Sequence, residues 1–105
     1  MKATELTHRI TASSAPVVID ARSGFELQHG HIPGAIHAPV LKILLKRLRL
    51  PEDKDSELVI TCEHGPRALM AKCLLATYGY RNTTLLDGHM LGWRRAGLPL
   101  EKQPS

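Results

Sequence analysis

Aromatic side chains are scarce in this chain: one Trp, two Tyr and one Phe in 105 residues. Its core is therefore read from aliphatic positions. Cysteine is also rare, with Cys62 and Cys73 alone. One falls in an expected loop and the other in an expected helix, which argues against a structural disulfide. Long apolar runs are missing too. None approaches the roughly 18 residues of a membrane helix, and Met1-Lys2-Ala3-Thr4-Glu5 lacks the apolar core of a signal peptide. These absences point to a reduced, cytoplasmic protein that meets no membrane. There is no internal repeat and no low-complexity tract. The net charge of +4 is mild. It suits an anionic small substrate or an acidic partner and does not call for nucleic acid. The length fits one domain, residues 1–105, with a real core.

The elements alternate. Residues 3–13 form a modest helix, with Leu6 and Ile10 on one face, broken by Ser13-Ser14-Ala15-Pro16. Val17-Val18-Ile19 is a short β-branched run, read as a buried strand. Ser23 with Glu26 three residues on matches a capping box for a short helix that ends near Gly30. His31 to Ile36 is a turn and a very short strand, since Pro33 biases Ile32 away from helix. Val40 to Arg49 is an amphipathic helix, with Leu41, Leu44, Leu45 and Leu48 as its apolar face. Leu58 to Thr61 is the central strand. A helix from about Arg67 to Tyr78 carries the stripe Ala71, Leu74, Leu75 and Tyr78, and Gly79 stops it. Thr83 to Leu86 is another strand, His89 to Ala96 a last helix, and 101–105 a frayed tail. Strands alternating with helices imply a mainly parallel sheet covered on both faces, with ligands beyond the carboxyl ends of the strands.

The stretch that organises the chain is Val59-Ile60-Thr61-Cys62-Glu63-His64-Gly65-Pro66-Arg67-Ala68. A buried strand ends on a thiol, a tight turn follows, and a helix begins. The first N–H groups of that helix have no intrahelical partner and can hold an anion, helped by the helix dipole. A nucleophile and an anion site thus share one loop.

Asp20-Ala21-Arg22, Glu26 and Gly30-His31-Ile32-Pro33-Gly34-Ala35 resemble the first signature of the rhodanese domain. Cys62-Glu63-His64-Gly65-Pro66-Arg67 is similar to its C-x-x-G-x-R active-site loop. Gly79-Tyr80, Leu86-Asp87-Gly88, Trp93 and Gly97-Leu98-Pro99 resemble its C-terminal signature, so the likeness runs from about 17 to 99. The resemblance implies a three-layer α/β/α domain with a mainly parallel sheet of four or five strands. It also implies a sulfurtransferase whose cysteine carries a persulfide, without cofactor or metal. On that reading the Cys62 thiolate attacks the outer sulfur of a small anionic donor such as thiosulfate. The loop, Glu63, His64, Gly65, Pro66, Arg67 and Ala68, cradles the anion, chiefly through backbone N–H groups. Cyanide, a thiol or a protein, for instance an acidic carrier, then takes the sulfur, giving ping-pong kinetics.

Four residues depart from the family pattern. Pro66 has no N–H to offer, although it suits a helix start. Glu63 puts a carboxylate beside the anion site, which weakens thiosulfate binding or favours another donor. Ala68 stands where Ser or Thr is frequent, and His89 where a second Gly is usual. A phosphatase or arsenate reductase of related fold usually has one more residue between Cys and Arg, so the shorter loop here fits sulfur better. A non-catalytic binding module commonly lacks the cysteine.

Other residues have plainer readings. Asp20 and Arg22 are read as an internal polar brace. Arg67 either aims at the anion or pairs with an acid. His64 tunes the thiolate or is a solvated side chain. His31 fixes its loop by a hydrogen bond, since His29-x-His31 has no further ligand at metal-binding spacing. Cys73 is read as a core or half-buried thiol, and Lys42, Lys46, Arg47 and Arg49 as a solvated face.

Overall fold

The computed structural model describes residues 1–46 and 50–102. Nine elements follow one another: α1 (Ala3–Thr11), β1 (Val17–Asp20), α2 (Gly24–Gln28), β2 (Ile36–His37), α3 (Val40–Leu44), β3 (Leu58–Thr61), α4 (Pro66–Thr77), β4 (Thr83–Leu85) and α5 (His89–Arg95). The four strands pair in the order β2-β1-β3-β4, all parallel. Successive strand residues point to opposite faces, and the packing follows that alternation. Ile19, Leu58 and Ile60 join Ile43 of α3 and Ala68, Ala71 and Leu75 of α4 on one side. Val18 and Val59 join Leu6 of α1 and Met90 and Trp93 of α5 on the other. The result is a three-layer α/β/α domain. β3 is buried along its whole length because both of its faces are covered.

The strand order reverses direction between β1 and β3, the topological switch point where α/β sheets leave a crevice. Asp20 and Thr61 are opposite one another in register at the carboxyl ends of these strands. The Ala21 N–H donates to the Thr61 carbonyl at 2.8 Å, extending the pairing by one bond. Asp20-Ala21-Arg22 and the Cys62 loop are therefore neighbours because of the sheet, not because of sequence proximity.

Three expectations need correcting. Leu41, Leu44 and Leu45 do not face the core; they are 64%, 54% and 54% exposed. Ile43 is buried instead, with Val40 packed against the same cluster. α3 has only five residues, and its rotation is set by Ile43 docking on α4 rather than by the leucine stripe. Leu48, Arg47 and Arg49 of that expected helix lie outside the described residues. Cys73 is exposed, since the stripe Ala68, Ala71 and Leu75 recurs every three to four residues and Cys73 falls off it. Glu101 is not frayed: it and His31 exchange two backbone bonds of 2.8 Å. Residues 103–105 of the expected tail are outside the described residues.

Candidate active site

The site is built around one turn. Cys62 follows β3 directly and is fully buried. Gly65 closes the turn at φ +133°, a conformation that L side chains rarely adopt. This aims its N–H at the Cys62 Sγ, 2.9 Å away. Pro66 then starts α4 with a pre-set φ and no N–H to satisfy.

The peptide planes of the turn are sorted by α5. The Cys62 carbonyl accepts from the Met90 N–H at 3.0 Å, and the Glu63 carbonyl accepts from the Leu91 N–H at 3.2 Å. In a trans peptide the C=O and the next N–H point in opposite directions. With both carbonyls turned to α5, the N–H groups of Glu63 and His64 point away from it. Among the described residues, the N–H groups of Glu63, His64, Arg67 and Ala68 have no protein acceptor. Four donors in and after the turn are thus free, at the positive end of a twelve-residue helix.

His89 completes the turn from the other side. Its Nδ1 accepts the Cys62 N–H at 3.3 Å. Its ring lies so close to Gly65 that a Cβ there would sit 3.2 Å from Nε2. His89 itself has φ +51°, directly after Gly88 at +76°. Burial holds its pKa below the ordinary imidazole value, with Asp87 opposing that shift and His64 adding to it. Sequence reasoning marked His89 only as a departure; the available signal was a bulky residue where a left-handed backbone is needed.

Charged side chains frame the turn in alternating sign. Asp20 and Arg22 are buried, with both carboxylate oxygens held by the guanidinium, Nε to Oδ1 at 3.0 Å and Nη2 to Oδ2 at 2.9 Å among the contacts. Arg22 also donates to the Gly30 carbonyl at 2.8 Å, which ties the loop after α2 to the site. Its other nitrogen, Nη1, is 3.5 Å from Glu63. Glu63 is held in turn by both terminal nitrogens of Arg94, Nη1 at 3.0 Å from Oε1. The Arg94 hydrogen bond keeps the Glu63 carboxyl below the usual carboxylate range, with Arg22 and His64 adding to the effect against burial. Arg94 was not anticipated from sequence.

Arg67 is paired with an acid. It grips both Glu26 oxygens, at 2.6 and 3.0 Å. Glu26 also returns to the Ser23 N–H at 3.2 Å, while the Ser23 hydroxyl accepts from the Glu26 N–H, a complete capping box. The Arg67 bond, with the Ser23 contacts, lowers the Glu26 carboxyl to about 2. His31 is buried with Nδ1 at 3.1 Å from the Leu27 carbonyl, and His64 is exposed. Ala68 is buried under the turn. A cleft of about 250 Å³, lined by Arg22, Phe25, Glu26, Glu63 and Arg94 among others, opens beside Glu63. No helix among the described residues is long and apolar enough to cross a membrane. The arrangement supplies a buried thiol, one N–H already on its sulfur, and further donors that can hold an anionic atom.

The rhodanese-like domain family model matches residues 2–96. A sulfurtransferase of Allochromatium vinosum is 32% identical over 95 residues, covering 90% of this chain and 87% of the relative. The thiosulfate sulfurtransferase GlpE of Haemophilus influenzae is 28% identical over 85 residues, 81% of this chain and 79% of the relative. Among solved structures, a rhodanese-related protein from Thermoplasma volcanium superposes with a TM-score of 0.79 at 28% identity, covering 98% of this chain and 97% of that one.

Proposed function

The chain belongs to the rhodanese-like family, and from that premise we propose that it is a sulfurtransferase working through a persulfide on Cys62. The observation that carries the reading is the fully buried Sγ receiving the Gly65 N–H at 2.9 Å, beside four N–H groups of the turn and the start of α4 that have no protein acceptor among the described residues. The relatives named sulfurtransferase and thiosulfate sulfurtransferase support the reaction class and the donor. In the first half-reaction the Cys62 thiolate attacks the outer sulfur of thiosulfate. The S–S bond of the donor breaks and sulfite leaves with the electron pair, so Cys62 keeps one extra sulfur with a negative charge. In the second, cyanide or a thiolate attacks that outer sulfur and Sγ departs as thiolate. The turn serves both anions: Gly65 N–H on Sγ, and the N–H groups of Glu63, His64, Arg67 and Ala68 for the outer sulfur. Arg67, committed to Glu26, holds the start of α4 rather than the donor.

The test is intact mass after brief incubation with thiosulfate. Wild type gains one sulfur atom, cyanide removes it, and Cys62→Ser gains none. Folded, reduced wild type that takes no sulfur from thiosulfate or from glutathione persulfide would overturn the reading in favour of a binding module.

A further inference from the structure

The chemistry of the turn depends on the direction of the Cys62 peptide, and the group that fixes this direction comes from another element. Among the described residues, the Cys62 N–H has one acceptor, His89 Nδ1 at 3.3 Å. The same ring closes against Gly65, whose N–H is the one on Sγ. One imidazole thus touches both ends of the four-residue turn. It is held there by a backbone at φ +51°, in the left-handed region where residues other than glycine are uncommon. Resting on the sulfurtransferase reading for its consequence, but not for its geometry, we propose that His89 is a positioning residue. Its ring ties the Cys62 N–H to the Gly65 turn and so keeps the Gly65 N–H on the nucleophile.

This role requires one form of the ring. An Nδ1 that accepts a hydrogen bond carries no proton, so His89 is the neutral tautomer with its hydrogen on Nε2. Protonation would put a hydrogen on Nδ1, opposite the Cys62 N–H, and the bond would break. The titratable groups facing the ring are Asp87 from the preceding turn, and His64 and Cys62 from the nucleophile turn. Asp87 favours the charged ring; burial and His64 favour the neutral one, and burial is the larger effect. At neutral pH the tether is intact, and it is lost in acid.

Alkylation of Cys62 by iodoacetamide tests this without any sulfur donor, so a failure here is distinct from a failure of the sulfurtransferase reading. The background is Cys73→Ser, because Cys73 is exposed. His89→Gly relieves the left-handed backbone while deleting the acceptor. It keeps its thermal stability yet reacts roughly five- to tenfold more slowly at about pH 8, the worth of one hydrogen bond. His89→Asn keeps an acceptor and tolerates the left-handed backbone, and recovers most of that loss. As pH falls below the ordinary imidazole range, protonation of His89 breaks the tether, so the parent's rate falls increasingly behind that of His89→Asn. His89→Asn, with no imidazole to protonate, lacks that extra fall. A His89→Gly rate equal to the parent's, or the same extra acid fall in His89→Asn, would overturn the proposal.

Discussion

Adding one methyl group at Gly65 should damage both the fold and the nucleophile. The backbone there has φ +133°, and forcing an L side chain into such a region costs on the order of 1–3 kcal/mol. The new Cβ would also meet His89 Nε2 at 3.2 Å. That ring cannot swing aside without releasing the Cys62 N–H, a further loss of about 1 kcal/mol. Gly65→Ala is therefore expected to lose about 2–4 kcal/mol. For a domain of this size that is a fall in Tm of roughly 10–25 °C, readable by calorimetry. Any population that folds does so by turning the Gly65 peptide away from Sγ. The hydrogen bond lost is one to the attacking thiolate, a charged acceptor, about 1.5–3 kcal/mol, so persulfide formation should slow about 10- to 100-fold. A Tm within about 2 °C of wild type together with a rate within about twofold would refute the claim that the turn needs glycine.

Two further perturbations test the frame around the turn. Glu26 has its carboxyl depressed to about 2, mainly by Arg67; a depressed carboxyl stabilises the fold above its unfolded pKa, so the contribution is complete above about pH 4.5 and is lost as pH falls toward 2. With both side chains partly exposed, screening limits the pair to roughly 0.5–1 kcal/mol. The gap between wild type and Glu26→Gln in urea midpoint should close over that window, and a pH-independent gap would count against the pair. Asp20→Ala leaves the buried Arg22 guanidinium without its bidentate partner and should cost about 3–5 kcal/mol in urea denaturation, whereas the double replacement D20L/R22M should recover most of it. A loss under about 1 kcal/mol would mean that the brace does not hold the switch point.

What the sequence made legible was local. β3 was read with its observed bounds because a β-branched run between turn signals has one natural reading, and the Ser23–Glu26 capping box is a fixed three-residue spacing. In α4 the helical period picked out Ala71 and Leu75, but Ala68 is buried with them and the helix begins at Pro66, one residue before the expected Arg67. α3 was misread because leucines at helical spacing carry no information about which neighbour the helix will meet, and the isoleucine between them met α4. The frame of the site was hidden for the same reason. His89 lies 27 residues from Cys62 and Arg94 lies 31 from Glu63, while Arg67 finds its acid 41 residues away. Such pairs are set by which strand ends the sheet brings together, so both readings of Arg67 stood open in the sequence.

Glu63 shows how the frame changes the meaning of a residue. In the sequence it is a carboxylate next to an anion site, and repulsion is the natural inference. In the fold both of its negative ends are committed elsewhere. The carboxylate oxygens lie against Arg94 and Arg22, and the backbone carbonyl takes the Leu91 N–H. Arg94 is 41% exposed, so its ion pair contributes little to stability; its effect is orientation. On the sulfurtransferase reading, what Glu63 offers the sulfur is the remaining group, an N–H that has no protein acceptor among the described residues and points away from α5. The Cys62 carbonyl is removed by the same means, through Met90. The first turn of α5, whose N–H groups would otherwise be orphans, thus collects the carbonyls of the turn and leaves its amides for an anion. A loop that carries a formal negative charge is thereby made locally positive by the direction of its peptides.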